Sequence, residues 1–241
     1  GFGLAFLLHD APRGWAMTGG AVVPRGRQRG LGRRLALAVF DGVRAHRHAP
    51  LVRDLLGAAW LPNEPAERLA ASLGLRFERA FWLMERPRGG ASPPPEWPAG
   101  VTIRTFDGSE TMLVDWNDAY NDSFQDHWRF VPGDLETTRH ITNAPGFRTG
   151  GLVLAYRDGR CLGYCRNDLH ESRGEVSLIG TVKAARGLGL GRALLRWGVE
   201  WLERHTEKPI TLIVDGDNDN ALRLYRSEGF EVAKTRRVWS R

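Results

Sequence analysis

The sequence predicts a mixed α/β fold present in two tandem copies, and two kinds of observation support this. Runs of β-forming residues alternate with stretches of helical periodicity, and glycine-rich or polar turns separate them. Two motifs also occur twice, in the same order along the chain. Residues 27–33 match residues 186–192, and residues 63–75 match residues 218–230. The offsets of 159 and 155 positions are nearly equal, which indicates an internal repeat.

The second copy can be predicted element by element. Residues 101–104 predict a strand, 109–124 and 134–142 predict helical stretches, and 152–156 predict another strand. A hairpin of 161–166 and 175–182 follows, then a glycine loop and a helix over 192–205. That helix places Leu194, Leu195, Val199 and Leu202 on one face. The remaining elements are a buried strand at 210–214, a short helix at 220–228 that ends before Gly229, and a final strand at 230–238.

A segment rich in proline and glycine separates the two copies. We predict a partial first domain at 1–88, a linker at 89–98 and a second domain at 99–241. In the second domain, about 60 residues precede the strand that matches residues 1–8, and the first domain has no counterpart to them. We therefore expect the first domain to be incomplete at its N-terminus, either by truncation or because the native N-terminus is missing from this sequence.

Composition excludes several classes of protein. The hydrophobic content of 42% is enough for a packed core, and two cysteines cannot form a disulfide framework. No apolar run approaches the ~20 residues that a membrane span needs. We expect a soluble cytoplasmic protein without a membrane partner. The excess of positive charge lies in residues 1–88, whose 14 arginines and 7 acidic residues give a net charge of +7. Such a charge is consistent with binding of nucleic acid or of a phosphorylated small ligand, or with a basic surface that only contacts solvent.

The glycine loop at 186–191 lies between a predicted strand and a predicted helix. Glycines let backbone N–H groups approach a ligand, and a helix N-terminus favours an anion, so a pyrophosphate suits this loop. Neither common nucleotide motif fits it. Position 192 is Arg where the dinucleotide fingerprint needs Gly, and the lysine followed by Ser or Thr of a P-loop is absent.

The spacing that does fit is Arg-x-x-Gly-x-Gly followed by Asn-x-x-Ala-x-x-Leu-Tyr-x-x-x-Gly-Phe, here Arg186–Gly191 and Asn218–Phe230. It resembles the GNAT superfamily of acyl-CoA-dependent N-acyltransferases, over about residues 101–241. The tandem arrangement, with residues 124–128, is most similar to the mycothiol synthase-like branch. The resemblance implies a mixed, mostly antiparallel central sheet flanked by helices, in tandem GNAT folds of which the first is incomplete. It also implies an N-acetyltransferase that uses acetyl-CoA and no metal.

The resemblance also implies roles for individual residues. Tyr225 lies at the position of the residue that donates a proton to the coenzyme sulfur; alternatively, it is an ordinary buried aromatic residue. Glu175 lies at the spacing of the general base in some family members; alternatively, it is a carboxylate exposed to solvent. A backbone N–H near Gly180 would polarise the thioester carbonyl. The residues expected to bind the cofactor are Ile179, Gly180, Thr181, Arg186, Gly187, Leu188, Gly189, Leu190, Gly191, Arg192 and Asn218.

Other residues carry weaker signals. Three further residues are weaker candidates for the general base: Asp168, His170 and His127. Residues 126–128 either line the acceptor pocket or belong to a packed loop between helices. Cys161 and Cys165 have no zinc-ligand spacing and are expected to be core or edge residues.

The positions matching Glu175 and Tyr225 in the first copy are Ala16 and Ala70, so we predict that this copy is catalytically silent. We expect an N-acetyltransferase acting on a primary amine of a small molecule. The alternatives are a non-catalytic acyl-CoA-binding or regulatory protein and a protein N-acetyltransferase. Nucleic-acid binding is disfavoured because most of the basic charge lies on the loop assigned to phosphate binding. The sequence leaves the acceptor and the oligomeric state open.

Overall fold

The computed structural model describes residues 1–8, 14–89 and 92–241, and they form two compact units. The first contains Gly1–Leu83, Asp215–Asp217 and Lys234–Arg241, and the second contains Met84–Val214 and Asn218–Ala233. Residues 92–98 of the predicted linker form neither helix nor strand, while Gly90 and Ala91 lie outside the described residues. The predicted domain limits remain a prediction.

The first unit is built on three whole strands and parts of two others. Strands β1 (Phe2–Leu8) and β2 (Gly14–Ala21) are antiparallel, and β2 is parallel to β3 (Val52–Leu61). Strand β3 is antiparallel to the end of the last strand, β10 (Glu231–Ser240). The elements that begin in this unit are β1 (Phe2–Leu8), β2 (Gly14–Ala21), α1 (Leu31–Ala45), β3 (Val52–Leu61), α2 (Glu64–Ser72) and β4 (Arg76–Arg86).

The second unit contains a sheet of order β5-β6-β7-β8-β9, in which only β8 and β9 are parallel. Helices flank the sheet, so the predicted mixed α/β class with a mostly antiparallel sheet is confirmed. The elements that begin in this unit are β5 (Thr102–Thr105), α3 (Glu110–Phe124), α4 (Leu135–Thr142), β6 (Phe147–Arg157), β7 (Arg160–Leu169), β8 (Gly174–Thr181), α5 (Leu190–His205), β9 (Ile210–Asp215), α6 (Asp219–Ser227) and β10 (Glu231–Ser240).

Two helices cover the part of this sheet that carries the candidate site. The predicted apolar face of α5 is buried, because Leu194, Leu195, Val199 and Leu202 are at most 2% exposed. Helix α3 buries Trp116 in a cluster that includes Tyr164 of β7. Burial of side chains of this size contributes roughly 1.5–3 kcal/mol each. Strands β7 and β8 are therefore held firmly between the two helices.

The repeat seen in the sequence is also a repeat of local structure. A single 3₁₀ turn precedes the loop in each copy, at Pro24–Gly26 and Lys183–Ala185. The helix after the loop begins at Leu31 in one copy and at Leu190 in the other, again 159 positions apart. Helices α2 and α6 begin 155 positions apart, and Asn63 and Asn218 cap them through the same side-chain hydrogen bond. Both sequence offsets therefore correspond to matched elements.

Candidate active site

The glycine loop owes its shape to two residues in the left-handed region. Gly187 has φ 78° and Gly189 has φ 82°. A methyl group at either position would meet nothing within 4 Å, so packing does not require glycine there. The backbone conformation requires it, because side chains disfavour positive φ. Gly189 is the N-cap of α5 and gives that helix no side-chain cap.

The loop leaves several backbone donors free. The N–H groups of Arg192 and Ala193 donate to Gly189 O at 3.1 and 3.2 Å. Among the described residues, the N–H groups of residues 187–191 have no acceptor. Leu188 is 46% exposed, so the loop faces solvent. Free amides and the positive end of a helix dipole together form a site for an anion.

Strand β8 separates from β9 just before this loop. Its pairing with β9 covers only Gly174–Val176, whereas its pairing with β7 continues to Thr181. The N–H of Val182 donates to Leu162 O at 2.9 Å, which sets the alternation of the antiparallel pair. Ile179 and Thr181 therefore turn their backbone N–H and C=O groups toward the side that β9 has left. This open edge can pair with an extended ligand.

At Gly180, the face of β8 that points toward α3 is tightly packed. A methyl group there would lie 2.6 Å from Ser123 Oγ and 2.8 Å from Tyr164 Oη. Ser123 belongs to α3, and its hydroxyl lies 3.3 Å from the Tyr164 hydroxyl. The absence of a side chain at Gly180 therefore lets α3 approach β8 closely.

The start of α5, the end of β8 and α6 meet at one point. A methyl group on Gly191 would lie 3.9 Å from both Thr181 and Leu224. Leu224 precedes Tyr225, whose side chain is buried and packs edge-on against Phe230 with ring centroids 6.2 Å apart. Helix α6 thus places Tyr225 in the region where β8 and β9 separate.

The Tyr225 hydroxyl is held in its protonated form. Burial raises the pKa of Tyr225 well above its usual value, and neighbouring Cys165 raises that pKa further. Cys165 pairs with Ile179 across β7 and β8, so Tyr225 lies near the open edge. The hydroxyl has no hydrogen-bond partner within the part of the chain that the structure describes. A protonated hydroxyl without a partner is available as a proton donor.

Glu175 lies at the other end of β8, where the strand is still paired with β9. Its Oε2 accepts from Arg173 Nε at 2.8 Å, and His170 Nε2 lies 3.3 Å from the same oxygen. Oε1 has no partner among the described residues. The side chain is 13% exposed. One carboxylate oxygen is thus anchored, and the other is left to accept a proton or a hydrogen bond.

Three of the residues expected to bind the cofactor have protein partners. Arg186 donates to Ser123 O at 3.2 Å and pairs with Asp126 at 3.5 Å. Arg192 pairs with Glu228 and donates to Ser227 Oγ at 3.1 Å. The Asn218 Oδ1 accepts from Ala221 N–H at 3.1 Å and caps α6. The Asn218 side chain therefore has a structural role in this conformation, and cofactor binding by the three residues stays a prediction.

The weaker candidates lie on β7, directly after β7 or shortly after α3. Asp168 accepts from Arg166 Nη2 at 2.7 Å, and its Oδ1 is buried without a partner in the described chain. The His127 ring packs against Phe124 at 4.2 Å between centroids. Cys161 is half-buried and Cys165 buried, as expected for core and edge residues. No group of potential metal ligands occurs within residues 1–8, 14–89 and 92–241.

Sequence reasoning missed residues that hold the site together. Arg173 anchors Glu175, and Asp122 accepts the Lys183 N–H at 2.6 Å. The contact between Arg173 and Glu175 had a signal in the sequence, because Arg173 directly precedes β8 and carries the opposite charge two residues from Glu175. The contact between Asp122 and Lys183 joins residues 61 positions apart, and no local pattern predicts it.

The first unit has the loop and lacks the ionisable groups. Gly30 has φ 72° and caps α1 as Gly189 caps α5. Ala16 and Ala70, which match Glu175 and Tyr225, are buried at 0% and 4% exposure. These positions offer no proton donor or acceptor, and the catalytic silence of this copy stays a prediction.

Comparisons with known proteins agree with this architecture. The model of the Acetyltransferase (GNAT) family matches residues 112–230. The mycothiol acetyltransferase of Thermobispora bispora is 36% identical over 239 residues, which cover 95% of this chain and 76% of that protein. The chain therefore belongs to the GNAT family, and it is an N-acetyltransferase.

Solved structures share the fold. A GCN5-related N-acetyltransferase from Sphaerobacter thermophilus has a TM-score of 0.80 at 24% identity, over 99% of this chain and 76% of that chain. A tandem GNAT protein from the clavulanic acid biosynthesis pathway has a TM-score of 0.74 at 19% identity, over 94% of this chain and 74% of that chain. No helix among the described residues is long and apolar enough to cross a membrane.

Proposed function

We propose that this N-acetyltransferase uses acetyl-CoA and acetylates the primary amine of a small molecule. The observation that supports this most strongly is the junction at the end of β8. There the free amides of residues 187–191 lie next to a strand edge that β9 has left, with Tyr225 nearby. An anion site beside an open strand edge suits a ligand with a pyrophosphate at one end and an extended amide-containing arm at the other.

The residues present fit the coenzyme. The amides of residues 187–191 hold the pyrophosphate, and Ile179 and Thr181 pair with the extended arm. When bound, acetyl-CoA supplies a thioester whose carbonyl carbon is open to attack by an amine. A backbone N–H on the open edge of β8 is in place to donate to the carbonyl oxygen.

Two side chains carry out the proton transfers of the reaction, one as acceptor and one as donor. The acceptor nitrogen forms a bond to the acetyl carbon as the carbon–sulfur bond breaks. Glu175 takes the proton that the amine loses, through its free Oε1, while Arg173 fixes the other oxygen. Tyr225 gives its proton to the departing sulfur, because burial keeps the hydroxyl protonated. An amide and a free thiol result, with Glu175 protonated and Tyr225 deprotonated. Loss of the Glu175 proton to solvent and uptake of one proton by Tyr225, whose pKa is raised, restore both side chains.

The acceptor is inferred from the relatives. Several are named mycothiol acetyltransferases, with 32–37% identity to this chain. We propose an acceptor of the mycothiol type, a small polar amine such as a cysteinyl aminosugar. Residues 126–128, which follow α3, line its pocket.

A thiol-release assay tests this function. The chain is mixed with acetyl-CoA and a panel of amines that includes a cysteinyl aminosugar, simple amino sugars and a lysine peptide. We expect release of free thiol with the cysteinyl aminosugar and much less with the peptide. Release with the peptide alone would favour a protein N-acetyltransferase. Coenzyme binding without release for any amine would favour a binding module.

A further inference from the structure

The end of α3 is attached to three successive parts of the segment that precedes the glycine loop. Ser123 packs against Gly180 of β8. The Asp122 carboxylate accepts the backbone N–H of Lys183 at 2.6 Å. Arg186 donates to Ser123 O at 3.2 Å. The helix that leads to residues 126–128, which we call the acceptor segment, is thus joined to the loop that receives the coenzyme.

Asp126 adds a charged contact to this junction. Its Oδ1 lies 3.0 Å from Lys183 Nζ, and its Oδ2 lies 3.5 Å from Arg186 Nη1. All three side chains are about half exposed, at 56%, 43% and 48%. The hydrogen bond from Lys183 lowers the pKa of Asp126, so the carboxylate is charged at neutral pH. One carboxylate is therefore shared by two cations that precede the free amides, and the three side chains together keep a net charge of about +1.

We propose that Asp126 is a positioning residue that occupies Lys183 and Arg186 until a phosphate group of the coenzyme replaces it. The inference rests on the proposed function, because it requires a phosphorylated ligand at the loop. Exposed ion pairs are weak and exchange readily. The two phosphates of the pyrophosphate together carry more charge than one carboxylate, so both cations can transfer to it. The exchange frees Asp126, which lies two residues after the end of α3.

This exchange couples the two substrates. Asp126 lies within the acceptor segment, and the next residues are His127 and Trp128. The His127 N–H donates to Phe124 O at 2.8 Å, and the Phe130 N–H donates to His127 O at 3.1 Å. Loss of the Asp126 contacts loosens these turns, so the coenzyme prepares the segment that the acceptor must enter.

Binding measurements on the full chain test the charge exchange. Titration calorimetry with coenzyme A compares the wild type with Asp126→Asn. We expect Asp126→Asn to bind coenzyme A about three- to tenfold more tightly, because two cations no longer need to be released. Pantetheine, which has no phosphate, should bind both proteins equally. Asp126→Glu should restore the wild-type affinity.

Controls separate this role from a structural one. Asp118→Asn removes the same charge from an exposed site on α3 and should leave the affinity unchanged. Lys183→Gln should abolish most of the gain from Asp126→Asn. Equal or weaker binding of coenzyme A by Asp126→Asn, or an equal gain for pantetheine, overturns the inference and leaves the proposed function intact. A wild-type chain that does not bind coenzyme A overturns both.

Amide hydrogen exchange gives an independent readout. In the wild type, coenzyme A should speed exchange of the His127 and Phe130 amides. In Asp126→Asn these amides should exchange fast without coenzyme and change little when it is added. Protection of these amides by coenzyme A in the wild type would contradict the exchange mechanism.

Discussion

Gln28 and Gly187 occupy the same position in the two copies of the loop, and both have positive φ, at 61° and 78°. Gln28 thus adopts the same left-handed backbone conformation as Gly187, although a residue with a side chain disfavours this conformation. The conformation is imposed by the matched turn and helix on either side of the loop.

Reciprocal substitutions should measure this strain. Gln28→Gly should stabilise the protein by about 1 kcal/mol, because glycine adopts positive φ freely. Gly187→Gln should destabilise it by a similar amount. Urea unfolding of both variants provides the measurement. A gain from Gly187→Gln would show that the left-handed conformation has no energetic cost here.

Gly180→Ala should both destabilise the protein and impair the candidate site. The added methyl group would lie 2.6 Å from Ser123 Oγ, and overpacking of this kind costs about 1–3 kcal/mol. The double variant Gly180→Ala, Ser123→Ala should recover part of the loss, because it removes the hydroxyl. Thermal unfolding of the two variants checks this. An unchanged melting temperature for Gly180→Ala would contradict the packing.

Glu175→Gln should lower kcat/KM for the amine about 100-fold, the usual scale of a lost general base. The amide keeps the shape of the side chain but cannot accept the proton. Glu171→Gln is a matched control, since Glu171 is an exposed carboxylate on the turn before β8. Initial rates over a range of pH provide the measurement. Wild-type rates for Glu175→Gln would assign the base elsewhere, with His170 the next candidate.

The two cysteines should react slowly with a thiol reagent in the folded protein. Burial raises the pKa of Cys161 from 9.0 to about 12, and burial also raises the pKa of Cys165. Above pH 9 the unfolded chain loses its thiol protons first, so the free energy of unfolding should fall as pH rises. Cys161→Ala should reduce this loss. Rapid labelling at pH 8 without urea would contradict the burial.

Much of the fold was predictable because each element has a local signature. The apolar face of α5 and the asparagine caps of α2 and α6 are read directly from residue spacing. Strand β6 was predicted from residue 152 but begins at Phe147. Gly150 and Gly151 interrupt the alternation there, and the structure has an irregular register between Phe147 and Leu152.

The sequence predicts the parts of the candidate site that depend on local backbone conformation. It predicts less well the parts that depend on contacts between side chains distant in sequence. The glycine loop follows from its spacing, and Tyr225 from the resemblance to a family. The partners of Arg186 and Arg192 did not follow, because Asp126 and Glu228 approach them only through tertiary packing. Separation of β8 from β9 likewise depends on a register that no single segment encodes.

The central claim is that the second copy transfers the acetyl group with Tyr225 as the proton donor. The most direct test is the steady-state rate of thiol release from acetyl-CoA by Tyr225→Phe with the best amine of the panel. We expect kcat to fall about 100-fold, while the melting temperature and the KM for acetyl-CoA stay unchanged. The hydroxyl makes no hydrogen bond among the described residues, so its loss should not affect folding. A kcat equal to that of the wild type would contradict the claim.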